Sequence, residues 1–393
     1  MTRSRARIKP STEYIPSNKV KLIHGGAEYF TTLAELIGRA RHSVHLQVYI
    51  FDDDETGEQV ASVLMEAAKR GVHVYLLTDG YASKNLSAEF IKHLQSAGVN
   101  FRFFEPLLKS EHFYFGRRMH HKILSVDGQY GLVGGINISN RYNDIEEEAP
   151  WLDWAIYLEG AVAAELFKVC VDVWARPGQK SLRRNLLHEI PSLTAPPGQS
   201  TVRIRRNDWV KRKNQISRSY IDMLKRSTSH VTIMSSYFLP GRIIRHHLSK
   251  AARRNIDIRV IVAGKSDVPL AKHAERHMYR WLFKRNIKLY EYTPAVLHGK
   301  LATSDNKWVT IGSYNVNDIS AYASVELNID VHDTAFAMGV QQQLDAIIAR
   351  DCISVTEEAF IKKYNLFQRF LQYCSYWMVR IIFYLFTFYF KQK

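Results

Sequence analysis

The chain has 393 residues, 46% of them hydrophobic, and a formal net charge of +16. That apolar content excludes global disorder, and the length suits two ordinary domains. The cationic excess predicts an anionic partner, nucleic acid or an acidic membrane surface, without choosing between them. Cys170, Cys352 and Cys374 are far apart with no CxxC pair, which suggests neither a disulfide framework nor a zinc site.

Residues 1–18 are polar and basic without an apolar segment, so they read as a flexible arm rather than a signal peptide. An amphipathic helix near 28–41 leads into an apolar run, 43–51, that reads as a buried strand. The acidic run from Asp52 to Glu55 follows, where helix capping and dipole pairing explain it better than metal binding. A second helix ends in the basic turn 66–71; strands are expected at 72–77 and 99–104, with a helix between them. The aromatic and basic stretch 107–119 then intervenes before a strand at 123–126. It reads either as a surface loop packing its own aromatics or as a contact for an acceptor or headgroup at the mouth of a site. Glu146, Glu147 and Glu148 read as a solvated loop.

The same order then recurs. A helix at 214–226, strands at 230–238, 256–262, 287–292 and 301–303, and a basic turn at 250–255 match the first half piece by piece. The junction around 187–202 is rich in Pro, Ser and Gly, as linkers are. Alternating strands and helices imply an α/β fold. The expected layout is two tandem α/β sandwich lobes, 19–190 and 204–352, joined by a linker at 191–203 and related by a pseudo-two-fold axis. A tail, 353–393, completes the chain. Its apolar part, 370–390, is long enough to span a bilayer. Arg380 at its centre would cost roughly 2.5–3.5 kcal/mol on insertion, however, and its Trp and Tyr residues prefer the interface. The tail therefore reads as a membrane-associating interfacial helix or re-entrant anchor, with packing on its own domain as the bland alternative.

Within the repeat lies a signature that occurs twice with identical offsets: His120, Lys122, Asp127, Gly134, Gly135 and Asn137, then His298, Lys300, Asp305, Gly312, Ser313 and Asn315. A histidine can attack phosphorus or shuttle a proton near neutral pH. A lysine two residues along a strand shares its face and can hold a phosphate oxygen. The aspartate could orient an imidazole. The Gly-Gly or Gly-Ser turn allows close backbone approach, and the asparagines add amide donors. One set is half a site. Two sets facing each other would supply a nucleophile and a proton donor, with lysines and asparagines neutralising the transferring phosphoryl group. No metal or other cofactor is required by this scheme, because the cations are built in. Which histidine attacks stays open, since the halves look alike.

These residues at this spacing resemble the phospholipase D superfamily over roughly 19–352. Within it, the segments Arg118-Met-His-His-Lys-Ile, Val133-Gly-Gly-Ile-Asn, Tyr237-Phe-Leu-Pro-Gly, Leu297-His-Gly-Lys, Ser324-x-Glu326-x-Asn328 and Trp151-Leu-Asp153-Trp resemble bacterial cardiolipin synthases of the B type. The resemblance implies phosphatidyl transfer between two phosphatidylglycerol molecules through a phosphohistidine, at a bacterial cell membrane with an anionic surface and without nucleic acid. It implies His120 as nucleophile and His298 as acid and base. Gly135, Asn137, Ser313 and Asn315 would help bind substrate, and Asp153 and Glu326 would orient the opposite histidine. His121 stands where relatives commonly have arginine and is expected to be an exposed neighbour. Hydrolysis of phospholipid headgroups and nucleic-acid cleavage are the alternative activities.

Overall fold

The computed structural model describes residues 13–106, 117–145, 149–175, 178–188 and 198–391. The first lobe runs β1 (Ile15–His24), α1 (Ala27–Arg39), β2 (Ser43–Val48), α2 (Glu55–Lys69), β3 (His73–Asp79), α3 (Ala88–Ser96) and β4 (Asn100–Phe104). It continues with β5 (Arg118–Met119), β6 (Lys122–Val126), β7 (Tyr130–Gly134), β8 (Trp154–Glu159), α4 (Ala161–Trp174) and α5 (Lys180–His188). The second lobe runs β9 (Ser200–Asp208), β10 (Lys213–Asn214), α6 (Gln215–Arg226), β11 (His230–Ser235), α7 (Arg242–Arg253), β12 (Asp257–Lys265), α8 (Pro269–Phe283) and β13 (Lys288–Val296). Then come β14 (Leu301–Ser304), β15 (Trp308–Gly312), α9 (Asp318–Tyr322), β16 (Ser324–His332), α10 (Thr334–Asp351), β17 (Cys352–Ser354), α11 (Glu357–Lys363) and α12 (Leu366–Lys391).

The two lobes carry the same sheet. In the first, strands lie in the order β4, β3, β2, β6, β7, β8, β1, with β2, β3 and β4 parallel and the other pairs antiparallel. In the second, the order β13, β12, β11, β14, β15, β16, β9 repeats it strand for strand. Alternation along β2 shows how the sequence builds the layers. Val44, Leu46 and Val48 join the cluster under α1, α2 and α3, while His45 and Gln47, also fully buried, face the other way. Gln47 donates to the Cys170 carbonyl of α4 and His45 stacks on Tyr75. The inner faces of both sheets, with α4 and α10, share one apolar cluster. Such fully buried Val, Leu or Ile side chains each contribute about 1.5–3 kcal/mol.

The ends of the lobes differ from the sequence expectation. The arm is shorter than 1–18: residues 1–12 lie outside the described part, and β1 starts at Ile15. Its first residues pair with β9 and the remainder with β8, so this strand ties the two sheets together. Asn18 is fully buried there; its side chain donates to the Ile15 carbonyl and accepts from the Val162 amide. Of the linker, 189–197 lie outside the described residues, and Ser200 already belongs to β9, paired with β1. The tail begins later than residue 353, because β17 pairs with β13 and Phe360 of α11 is buried in the second-lobe core.

The apolar tail is a single helix laid along α8. Tyr376, Val379 and Phe383 pack on Ala274 and Met278, and Arg380 reaches Asp318 of α9 at 2.6 Å. Arg380 thus has a carboxylate partner on protein. No helix among the described residues is long and apolar enough to cross a membrane.

The motif aspartates serve this scaffold, which corrects their expected place beside an imidazole. Asp127 accepts from the amides of Arg41, His42 and Ser43 at 2.9, 2.9 and 2.7 Å. Asp305 likewise accepts from Thr228, Ser229 and His230 at 2.8, 2.9 and 3.1 Å. Each closes the turn after its hairpin strand onto the start of the lobe's central strand. Burial opposes ionisation of Asp305, but the three amides prevail and hold its pKa below the usual range. We expect Asp127→Ala to lose about 1–3 kcal/mol in urea unfolding through stranded amide donors. The pH profile of turnover should not move. Lost turnover at unchanged stability would return the carboxylate to the chemistry.

Candidate active site

The lobes exchange backbone contacts next to both histidines. β5 pairs in parallel with the start of β16, Met119 opposite Val325. The next amides, His120 and His121, both donate to the Val325 carbonyl, at 2.9 and 3.1 Å. The second lobe returns the arrangement: Leu297 bridges Leu152, and the His298 and Gly299 amides donate to the Leu152 carbonyl at 2.8 Å each. The residue after each accepting carbonyl is an acid, Glu326 or Asp153.

Each acid meets the histidine of the other lobe. His120 Nδ1 lies 3.0 Å from Glu326 Oε2, and His298 Nδ1 lies 2.6 Å from Asp153 Oδ2. The residue types at the Gly-Gly and Gly-Ser turns follow from these acids. A Cβ on Gly135 would fall 2.4 Å from Asp153 Oδ1, so a side chain there would displace the carboxylate. At the equivalent position Ser313 fits, and its hydroxyl donates to Glu326 Oε2. Gly135 and Ser313 therefore set the acids rather than open a free backbone cradle.

The lysines lie on the histidine face of β6 and just before β14. Lys122 and Lys300 are both buried. Each donates to the carbonyl of its own motif histidine. Lys300 also donates to Ser236 at 3.1 Å, whereas Lys122 sits 5.1 Å from the ring centre of Tyr49. The asparagines are committed differently from expectation. Asn137 accepts from the Ile50 amide and donates to the Tyr142 hydroxyl, while Asn315 is buried with its Oδ1 lacking a hydrogen-bond partner.

His121 is not exposed. Strand alternation turns it away from His120 and Lys122 into the interior, where its Nε2 lies 3.0 Å from Gln47 Oε1 and the residue is 1% exposed. Of the aromatic stretch 107–119, residues 107–116 lie outside the described part, as do Glu146, Glu147 and Glu148. Asp54 caps α2 by accepting from Gly57, and Asp52 pairs with Arg141.

Several neighbours lie outside the repeated signature, although Trp151 and Tyr237 belong to segments that carry the family resemblance. Tyr142 places its hydroxyl 3.5 Å from His298 Nε2, and its ring and that of Trp151 flank His298. Tyr49 packs edge-on against His120. Tyr237 donates to Asp267 at 2.5 Å, and the charge of Asp267 is felt at His298 and Lys300. Only spatial proximity links these residues to the motifs, so spacing could not find them.

Burial dominates the electrostatics. It pushes Lys122 down to about 7, helped by the Lys300 charge, and Lys300 down to about 8 against the pull of Asp153. It pushes Asp153 up to about 6. It lowers His120 against the opposing pull of Glu326, and it lowers His298 further, with Lys300 and Lys122 adding to the effect. A neutral His120 donating from Nδ1 to Glu326 satisfies this field and leaves its Nε2 with a lone pair, whereas His298 Nδ1 lies between Asp153 Oδ2 at 2.6 Å and Lys300 Nζ at 2.9 Å. The site thus buries two lysine charges at a cost that an entering anion would offset.

A cardiolipin synthase, phospholipase D-like domain model matches twice, at residues 33–157 and 220–348. Cardiolipin synthase B of Escherichia coli K12 is 33% identical over 353 residues, covering 88% of this chain and 84% of that protein. Its Salmonella typhi counterpart is 34% identical over 350 residues, with the same coverage. Among solved structures, phosphatidylserine synthase of Haemophilus influenzae superposes with a TM-score of 0.73 at 15% identity, covering 95% of this chain and 96% of that one. The fold is therefore that of the phospholipase D superfamily. The chain belongs to the cardiolipin synthase family with a phospholipase D-like domain, and is an enzyme of its phosphatidyltransferase class.

The depressed lysines set a pH dependence. Above about pH 7–8 the free protein loses cationic charge that an entering phosphodiester needs, so kcat/KM should fall as pH rises through that window. Lys122→Arg keeps its charge, so whatever activity it retains should show a weaker alkaline fall. An unchanged alkaline limb in that variant would show that Lys122 does not set it.

Proposed function

We propose that this protein condenses two phosphatidylglycerol molecules into cardiolipin and glycerol through a phosphohistidine. The observation that carries this reading is the pair of histidines, each held at Nδ1 by a carboxylate of the opposite lobe, with a buried lysine beside each. His120 Nε2 attacks phosphorus as the P–O bond to glycerol breaks, and His298 gives the leaving oxygen its proton. The second phosphatidylglycerol then yields its hydroxyl proton to His298. Its oxygen attacks the phosphohistidine, breaking the N–P bond and restoring His120.

One asymmetry between the lobes supports these roles. Both histidines are held at Nδ1 by a carboxylate, but the Tyr142 hydroxyl lies 3.5 Å from His298 Nε2, which suits a proton-transfer role there and leaves His120 as the nucleophile. The protonated form of His298 is costly in the empty site, where burial and two lysines oppose it. An entering phosphodiester anion offsets the lysine charges and raises the His298 pKa toward that of a proton donor. Lys122 and Lys300 then hold the non-bridging oxygens. Asp153 and Glu326 act as positioning residues that fix the tautomers. The protein works at the membrane where its substrates lie; the net charge of +16 and the exposed apolar face of α12 support that placement.

Expression in cells that make no cardiolipin, followed by lipid mass spectrometry, tests the reading. Cardiolipin should appear with the wild type and fall by roughly a thousandfold or more with His120→Ala and with His298→Ala. Cardiolipin persisting in either variant would refute the two-histidine scheme. Phosphatidic acid without cardiolipin would make the enzyme a hydrolase, and DNA cleavage without a lipid product would make it a nuclease.

A further inference from the structure

Outside the catalytic centre, α7 and the C-terminal end of α8 enclose a cup of about 540 Å³. Arg242, Arg245, Arg253, Lys284 and Arg285 line it together with Trp281, and among the described residues no carboxylate does. Arg285 is pre-positioned: it donates to Ser249 at 2.7 Å and to the Trp281 carbonyl at 3.1 Å, and its guanidinium stacks on the Trp281 ring at 4.3 Å. The Nε of Arg245 is buried and has no hydrogen-bond partner. Burial and the like charges of Arg245 and Arg253 depress the Arg285 pKa. A gathering of guanidiniums without a counter-charge repels itself, and a planar donor fork left unsatisfied matches a phosphate geometrically.

Trp281 connects this cup to the tail helix, because it also packs on the cluster that seats Tyr376, Val379 and Phe383 of α12. The outer stripe of the same helix is apolar and exposed: Phe367, Phe370, Trp377, Ile381 and Leu385 are 68%, 60%, 50%, 57% and 65% exposed. Their spacing places them on one helix face. A cationic cup and an exposed aromatic stripe, joined through α8, form the pairing that binds an anionic bilayer, charge meeting headgroups and aromatic rings entering the interface. The same helix is bound through Arg380 to Asp318, close in sequence to Asn315 of the second motif.

We propose that the cup between α7 and α8 is a second, non-catalytic phosphate site, which holds the headgroup phosphate of an anionic lipid while the outer stripe of α12 enters the bilayer beside it. The choice of lipid as occupant rests on the phosphatidyltransferase reading, but binding is measured without turnover, so either idea can fail alone.

The test is flotation of the full chain with phosphatidylcholine vesicles, with and without phosphatidylglycerol. The paired variant Arg242→Glu with Arg253→Glu changes two exposed side chains that take no part in the catalytic site. Each basic residue near an anionic surface contributes roughly fivefold to partitioning, so reversing two charges should weaken binding to phosphatidylglycerol vesicles by at least about 25-fold. The weaker binding to pure phosphatidylcholine should stay, and Trp377→Ser should reduce both. Should the paired variant not fold, Lys284→Gln with Arg253→Gln should show a smaller loss of the same kind. Inorganic phosphate, at constant ionic strength, should displace the protein from phosphatidylglycerol vesicles only weakly. Unchanged binding of either folded cup variant to phosphatidylglycerol vesicles would overturn the proposal. Full displacement by millimolar phosphate would assign the cup to the free anion and overturn it too. So would oligonucleotide binding that the variants abolish while vesicle binding persists.

Discussion

The carbonyls of Val325 and Leu152 carry the active-site geometry. Each accepts two consecutive amides from the opposite lobe, and each is followed by the acid that receives the histidine those amides introduce. Neither lobe can place its imidazole alone, because the tautomer-fixing carboxylate sits across the pseudo-dyad. The inter-sheet core supports this exchange with one continuous apolar cluster, and β1, shared between the sheets, limits relative movement. Catalytic precision here is therefore a property of the lobe interface.

Burial of charge is the second constraint. Two lysines and two carboxylates lie buried beside two histidines, an arrangement that costs free energy unless the charges are nearly balanced. Lys122 and Lys300 share carbonyl contacts with their own motif histidines and lie near the acids, which lowers that cost without discharging it. What remains is the cost of keeping both lysines charged while buried, which an entering phosphodiester can relieve. Substrate affinity then comes from relieving the protein's own electrostatic strain as much as from new contacts.

The repeat was legible because matched offsets survive in one dimension: His120 with His298, Lys122 with Lys300, and the strand order around them. Asp153 and Glu326 were legible as matched positions after each motif, and the resemblance implied that each orients the opposite histidine. The folded chain adds the contacts at Nδ1, 3.0 and 2.6 Å, and the backbone exchange that sets them. The motif aspartates show the opposite failure. A carboxylate near a histidine in sequence suggested orientation of the ring, yet Asp127 and Asp305 turn to backbone amides that only the folded turn brings close. An arginine in relatives suggested an exposed position for His121, but strand alternation sends it inward to Gln47. The tail's composition suggested a membrane element, but the partner of Arg380, Asp318, lies far away in sequence, so the charge could not be read as satisfied by protein.

Strand positions equivalent across the axis now differ where it matters: Tyr49 stands over Lys122 where Ser236 stands beside Lys300, and Tyr142 faces one histidine only. A dimer of identical half-length chains could make the same exchange of carbonyls and acids, but every substitution would appear on both sides at once. Joining the halves into one polypeptide removes that obligation. Each side of the pocket can then drift toward its own task; in the proposed mechanism one side would take the phosphoryl group and the other move the proton, and the covalent linkage is what would let a symmetric scaffold divide the work.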